Sequence, residues 1–149
     1  MLTIRKAERS DFDTWSRLYT QYLDFYQTTL TNEQLITLWD WLFDDDKKIY
    51  CFLGFSKETP VGLVHFREFL RPIKASFGIF MDDLFVESTY RGQGIAQKLI
   101  KSVEEFATQK NIPLVRWITA NDNHDAMNIY DKLAVKTQWV TYDLNAKQA

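Results

Sequence analysis

The stretch from Asp82 to Ala96 constrains this chain more than any other. It runs Asp-Asp-Leu-Phe-Val-Glu-Ser-Thr-Tyr-Arg-Gly-Gln-Gly-Ile-Ala. An apolar strand ends, a short polar turn follows, and a glycine-bearing corner opens a helix. Two of the five glycines, Gly92 and Gly94, sit in that corner. A helix entrance exposes backbone N–H groups that have no intrahelical partner. Glycine lets a ligand approach that backbone closely. With Arg91 beside it, the corner is an anion site. Any fold for this chain must deliver a strand into the corner and carry a helix away from it.

The rest of the chain supplies such a fold. Residues 2–6 predict a short strand. Ser10, Asp11 and Asp13 offer a helix start, and Phe12, Trp15, Leu18, Tyr19, Tyr22, Phe25 and Tyr26 recur at helical spacing to about residue 27. Thr31-Asn32-Glu33-Gln34 is a capping-box pattern, and Leu35, Leu38, Trp39, Leu42 and Phe43 give the second helix its apolar face. Strands are predicted at Ile49–Phe55, Val61–Leu70 and Phe77–Val86, with a turn over 57–60 and a break at Arg71-Pro72. The helix after the corner carries Ile95, Leu99, Val103 and Phe106 on one face and closes at Asn111 and Pro113. Leu114–Thr119 predicts a strand, Asn123–Leu133 a helix, and Trp139–Leu144 a final strand. The order β-α-α-β-β-β-α-β-α-β is an α/β arrangement of mixed α and β layers. It implies a mixed, mostly antiparallel central sheet with helices on both faces and a right-handed parallel crossover across residues 80–119. A single domain spanning 1–149 is expected.

Bulk chemistry narrows the partners. The apolar fraction of 46% and aromatic fraction of 15% describe a folded globular chain. A net charge of −2 gives no reason to expect nucleic acid. The chain shows no secretory segment and no membrane-length apolar run, so a cytoplasmic protein without membrane partners is expected. The one cysteine, Cys51, lies in an apolar run and predicts a buried thiol in a reducing compartment. His65 and His124 have no partners at ligand spacing, so no metal is expected.

Two nucleotide motifs are absent. There is no G-x-x-x-x-G-K-[ST], and Gly92-Gln93-Gly94 lacks the third glycine of the dinucleotide fingerprint. What remains is Arg91-x-x-Gly94-x-Ala96 between strand and helix, followed some 30 residues later by Asn123-x-x-Ala126-x-x-x-Tyr130. These resemble the acetyl-CoA signature and the later motif of the GNAT N-acetyltransferase superfamily. The run Met81-Asp82-Asp83-Leu84-Phe85-Val86 before Tyr90-Arg91-Gly92-Gln93-Gly94-Ile95 is similar to the polyamine and histone-and-polyamine branch. One departure stands out: Leu133-Ala134 occupies the place where many members have Gly-Phe.

The resemblance implies an enzyme that moves an acetyl group from acetyl-CoA to a primary amine by direct attack. It implies that Arg91, Gly92, Gln93, Gly94, Ile95 and Ala96 hold the diphosphate. The thioester would lie along Leu84, Phe85 and Val86, where a strand bulge or splayed edge would leave N–H groups for the carbonyl oxygen. Asn123 and Ala126 complete the cofactor side, and Tyr130 is the candidate acid for the leaving thiolate. An alkyl ammonium titrates near 10 and must lose a proton. Asp82 and Asp83 are the candidates to assist, with Asp82 favoured as base. Strand side chains alternate between faces, so an unbulged strand admits only one of them to the cleft. Tyr22 and Tyr26 are candidate acceptor-binding residues. The acceptor expected is a small polyamine-like or amino-acid-like amine. A protein lysine or N-terminal acceptor, and a non-catalytic acyl-CoA-binding module, are the alternatives. The family resemblance also implies a homodimer.

Overall fold

Strands and helices follow the hydrophobic spacing closely. The computed structural model describes residues 1–147, and the chain divides into two units, Met1–Ile118 and Thr119–Ala149. The first unit is built on a sheet in the order β1-β2-β3-β4-β5. Its strands are β1 Leu2–Lys6, β2 Ile49–Ser56, β3 Thr59–Arg71, β4 Ser76–Val86 and β5 Val115–Trp117. Neighbours from β1 to β4 are antiparallel, and β5 runs parallel to β4.

Helices cover both faces of this sheet. Helix α1 is Phe12–Phe25 and α2 is Asn32–Trp41. The α2 capping box forms as its sequence predicts: Gln34 N–H donates to Thr31 Oγ1 at 3.1 Å, and Thr31 N–H donates to Gln34 Oε1 at 2.9 Å. Trp15, Leu18, Leu23 and Trp39 from these helices, with Leu42 at the end of α2, pack with Cys51, Leu53, Leu63 and Phe85 of the sheet. Helix α3, Ile95–Gln109, lies on the opposite face. There Phe106 meets Phe52 and Phe66, and Leu99 packs over Gly54 and Gly62. Alternation along β2 explains the split, since Cys51 and Leu53 face one layer while Phe52 and Gly54 face the other. Asn111 closes α3 in a left-handed conformation with φ 58°, which asparagine tolerates.

The second unit contains α4, His124–Leu133. The predicted strand at Trp139–Leu144 does not form. Residues 134–147 carry neither helix nor strand, and Trp139, Tyr142 and Leu144 are 86%, 89% and 96% exposed. The element order therefore ends in a helix, not a strand. Strand-forming side chains are present, but a strand needs a hydrogen-bonding edge beside it, and propensity alone does not supply one. No helix among the described residues is long and apolar enough to cross a membrane.

Candidate active site

The site is organised by an irregularity in β4. Register between β3 and β4 slips between His65 and Phe66, so that His65 faces Asp83 while Phe66 faces Met81. Asp82 is the extra residue of this bulge. Before it, Phe80 and Asp82 share the face of Arg67. After it, Asp83 and Phe85 share the face of α1. The bulge thus turns both aspartates to one side of the sheet, which an unbulged strand forbids.

Asp83 is held by a buried network. Its Oδ2 accepts from the Tyr19 hydroxyl at 3.1 Å and lies 2.8 Å from His65 Nδ1. His65 is 1% exposed, and its Nε2 accepts the Trp15 indole N–H at 2.9 Å. An indole N–H only donates, so Nε2 carries no hydrogen and Nδ1–H donates to Asp83. Burial pushes the Asp83 carboxyl up, but hydrogen bonds from His65, Tyr22 and Tyr19 outweigh it and hold the group below the usual carboxylate value. Burial first, and then the charge of Asp83, drive the Tyr19 and Tyr22 phenols far above their ordinary value, so both remain O–H donors.

Asp82 behaves differently. Arg67 Nε donates to its two oxygens at 3.1 and 3.0 Å, and the Arg67 guanidinium stands 4.9 Å above the Phe80 ring. Burial raises the Asp82 carboxyl above the usual range, and Arg67 offsets this only in part. Two adjacent carboxylates with pKa values pushed in opposite directions are the arrangement used to divide acid–base roles.

Both aspartates open onto a cavity of about 550 Å³. Its polar wall is Tyr19, His65, Arg67, Asp82 and Asp83, and its apolar wall is Leu30, Leu38, Trp41 and Ile49. Gln34, Thr37, Leu38 and Trp41 recur at i, i+3, i+4 and i+7, so one face of α2 forms a side of the cavity. Tyr22 and Tyr26 lie further along the face of α1 that begins with Tyr19. Tyr22 stacks on Tyr19 with centroids 5.6 Å apart and reaches Asp83, while Tyr26 packs against Tyr22 and is 53% exposed.

The same strand leads to the glycine corner. β5 pairs with β4 only from Ile79 to Met81, and among the described residues no strand covers that edge beyond. Glu87 N–H donates to Val61 at 2.8 Å across the other edge. Counting back by twos, Phe85 and Asp83 turn their N–H groups toward β3, and Leu84 and Val86 turn theirs to the uncovered edge. The opening expected near Phe85 and Val86 therefore comes from the early end of β5, while the bulge lies upstream at Asp82. Arg91 Nε donates to the Val86 carbonyl at 3.0 Å, which folds the turn back onto β4. Gly92 and Gly94 have φ of 81° and 78°, and a Cβ at Gly92 would meet nothing within 4 Å. The first helical bond of α3 runs from Lys98 to Gly94 at 3.2 Å, leaving the N–H groups of Ile95, Ala96 and Gln97 without helical acceptors and without a side-chain cap. No acid sits in that first turn to occupy the positive end of the helix.

In the second unit, Asn123 Oδ1 accepts the Ala126 N–H at 3.3 Å and caps α4. Ala126 and Tyr130 lie one turn apart on the same helix face, both half-buried. Sequence reasoning singled out the aspartates and the corner but passed over His65, Trp15 and Arg67. The available signal was His65 and Arg67 at a spacing of two in an otherwise apolar strand, facing a strand that carries two acids.

Comparison with known proteins identifies the family and the fold. Residues 15–134 match the family model described as Acetyltransferase (GNAT) family. The D-amino-acid N-acetyltransferase HPA3 of Saccharomyces cerevisiae is 30% identical over 97% of this chain and 91% of its own length. A thialysine N-epsilon-acetyltransferase of Bos taurus is 38% identical over 39% of this chain and 34% of its own. Among solved structures, AAC(6')-Iy in complex with a bisubstrate analog, CoA-S-monomethyl-acetylneamine, superimposes with a TM-score of 0.85 at 16% identity, covering 99% of both chains. A ribosomal-protein-alanine N-acetyltransferase from Brucella melitensis gives 0.81 at 18% identity, over 98% of this chain and 99% of that one. At these identities the structures establish the shared fold.

Proposed function

Because the chain belongs to the acetyltransferase (GNAT) family, we propose that it acetylates the primary amine of a small acceptor held in the Asp82–Asp83 cavity, with acetyl-CoA as donor. The enzyme class follows from the family. How this chain's own residues serve it is our reading. The observation that carries it is the bulge at Asp82, which aims two carboxylates into one cavity on the strand that ends at the glycine corner.

The corner suits a diphosphate-bearing donor. Beside Arg91, whose own N–H donates to the Ser88 carbonyl, the N–H groups of Gly92, Gln93, Gly94, Ile95 and Ala96 offer donors around a backbone that glycine leaves uncovered. Acetyl-CoA supplies an acetyl group activated as a thioester. The edge N–H groups of Leu84 and Val86, on either side of Phe85, would hold the acyl carbonyl and stabilise the charge that develops on its oxygen. Asp83, fixed as a carboxylate, would hold the acceptor ammonium. Asp82, with its raised carboxyl, would take the proton directly or through one water. Tyr130 and Asn123 enter through the family motif, Tyr130 as the acid for the leaving sulfur. Tyr22 and Tyr26 would flank the acceptor through the aromatic face begun by Tyr19. A cavity of about 550 Å³ has room for a small amine. The single cysteine, buried and unbridged, fits a reducing, cytoplasm-like compartment. We also read the protein as a homodimer.

The test is CoA release with a panel of small amines and peptides, on wild type, Tyr130→Phe and Asp82→Asn. Turnover of small amines is expected. Tyr130→Phe should lower kcat by about 10²-fold or more. Asp82→Asn should lose most kcat/KM at neutral pH and recover in part at high pH, where the free amine is abundant. Unchanged turnover in Tyr130→Phe would remove it as the acid. A loss in Asp82→Asn that is flat across pH would make Asp82 a binding group. Acetyl-CoA binding with no turnover on any amine would leave an acyl-CoA-binding module.

A further inference from the structure

We propose that the acceptor carries a carboxylate beside its amine, and that Arg67 is the residue that reads it, so that the substrate class is an α-amino acid with an apolar side chain. The proposal rests on the acetyltransferase reading above and decides between the two acceptor chemistries that the sequence leaves open.

Arg67 lines the cavity together with Asp82 and Asp83. Its hydrogen bonds to Asp82 use Nε alone. The guanidinium carbon lies over the Phe80 ring, 4.9 Å from its centroid. The two terminal nitrogens, with four N–H donors in a rigid fork, have no hydrogen-bond partner among the described residues and belong to a side chain 45% exposed at the cavity wall. A planar fork held in one orientation matches a carboxylate in bidentate fashion. Arg67 and Asp82 are in direct contact. An ammonium held by the aspartates therefore lies within one small residue of the fork, which is the separation of charges in an α-amino acid. Leu30, Leu38, Trp41 and Ile49 give a hydrocarbon side chain a place to pack, with Gln34 and Thr37 as the uncharged polar groups of the same wall. Beyond Asp82 and Asp83 the described residues of the cavity include no further carboxylate for the other ammonium of a polyamine, and Arg67 repels it.

The experiment compares leucine, of either hand, with isoamylamine, the same skeleton without the carboxylate, and with spermidine. Each is assayed with wild type, Arg67→Gln and Arg67→Lys. Arg67 supports Asp82, so both leucine and isoamylamine turnover will fall on substitution. The ratio between them isolates the carboxylate. We expect wild type to prefer leucine, and Arg67→Gln to lower the leucine-to-isoamylamine ratio of kcat/KM about tenfold or more, chiefly through the KM for leucine. Arg67→Lys should restore part of the ratio, and spermidine should improve in Arg67→Gln. An unchanged ratio, with both substrates turned over, would overturn the proposal while leaving the transferase reading intact. Calorimetric titration of leucine into each protein gives a readout independent of turnover. Leucine binding lost in Arg67→Gln would uphold the role of Arg67 even where no acetyl transfer is seen. Equal leucine binding by both proteins would overturn it.

Discussion

At Asp83 the chemistry of one residue depends on partners from two other elements, β3 and α1. His65 of β3 and Tyr19 of α1 donate to it, and Trp15 fixes the His65 ring from behind. Replacing His65 with leucine leaves the Trp15 N–H without an acceptor and Asp83 without its shortest hydrogen bond. Each orphaned buried group costs about 1–3 kcal/mol, so we expect His65→Leu to lose on the order of 2–4 kcal/mol at neutral pH. Sign decides the pH dependence. The folded-state value of Asp83 is lowered, so its contribution to stability is present above the ordinary carboxylate value, near 4, and is lost as pH falls through the folded value. The deficit of His65→Leu should therefore be full at pH 7 and shrink toward pH 3. Urea unfolding at several pH values measures it. A deficit constant with pH would mean that only packing was lost, and His65→Gln, which keeps a donor for Asp83, should recover part of it. The aspartate pair was legible in the sequence because acids are poor strand formers. The partners were not, because Trp15 and His65 are 50 positions apart and meet only once the sheet is formed.

Among the elements, β4 does the most. It pairs with β3 along its length, bulges at Asp82, loses β5 after Met81, and ends in the turn that positions the corner. Gly62 of β3 secures the last part of this path. A Cβ there would stand 2.7 Å from the Phe85 carbonyl oxygen and 3.3 Å from Leu99. The first neighbour is backbone and has little room to yield. Gly62→Ala should destabilise the protein by about 1–3 kcal/mol. It should also raise the KM for acetyl-CoA, since the displaced segment carries Phe85 and Val86. A thermal melt and a CoA titration measure the two effects together. Full stability in the variant would show that β3 and β4 separate easily here. The helices and long strands were legible from period and capping, as Thr31 with Gln34 and Asn111 illustrate. The bulge was not, because no glycine marks it and a register slip shows only when two strands are paired. The length of β5 was also hidden: Leu114–Thr119 has strand chemistry throughout, yet the strand itself runs only over Val115–Trp117.

For the molecule as a whole, residues 134–147 carry the largest group of exposed apolar side chains outside helix and strand. Val140, Tyr142 and Leu144 alternate with Thr141 and Asp143, so an extended chain would gather the three apolar side chains on one face. All three are more than 70% exposed, and Val135 and Trp139 add to the apolar surface. A run of this kind in a monomer is an aggregation hazard unless something covers it. The net charge of −2 sets up little repulsion between copies. A second copy of this chain is the partner that is always present at matching concentration, and strand addition would satisfy the backbone as well as the side chains. We therefore expect wild type to sediment as a dimer at micromolar concentration. Val140→Lys with Leu144→Lys should sediment as a monomer with unchanged circular dichroism in the helical region, because these residues contribute nothing to the helices. A wild type that sediments as a monomer across the micromolar range would refute the dimer. A double variant that remains dimeric would assign the interface to another surface.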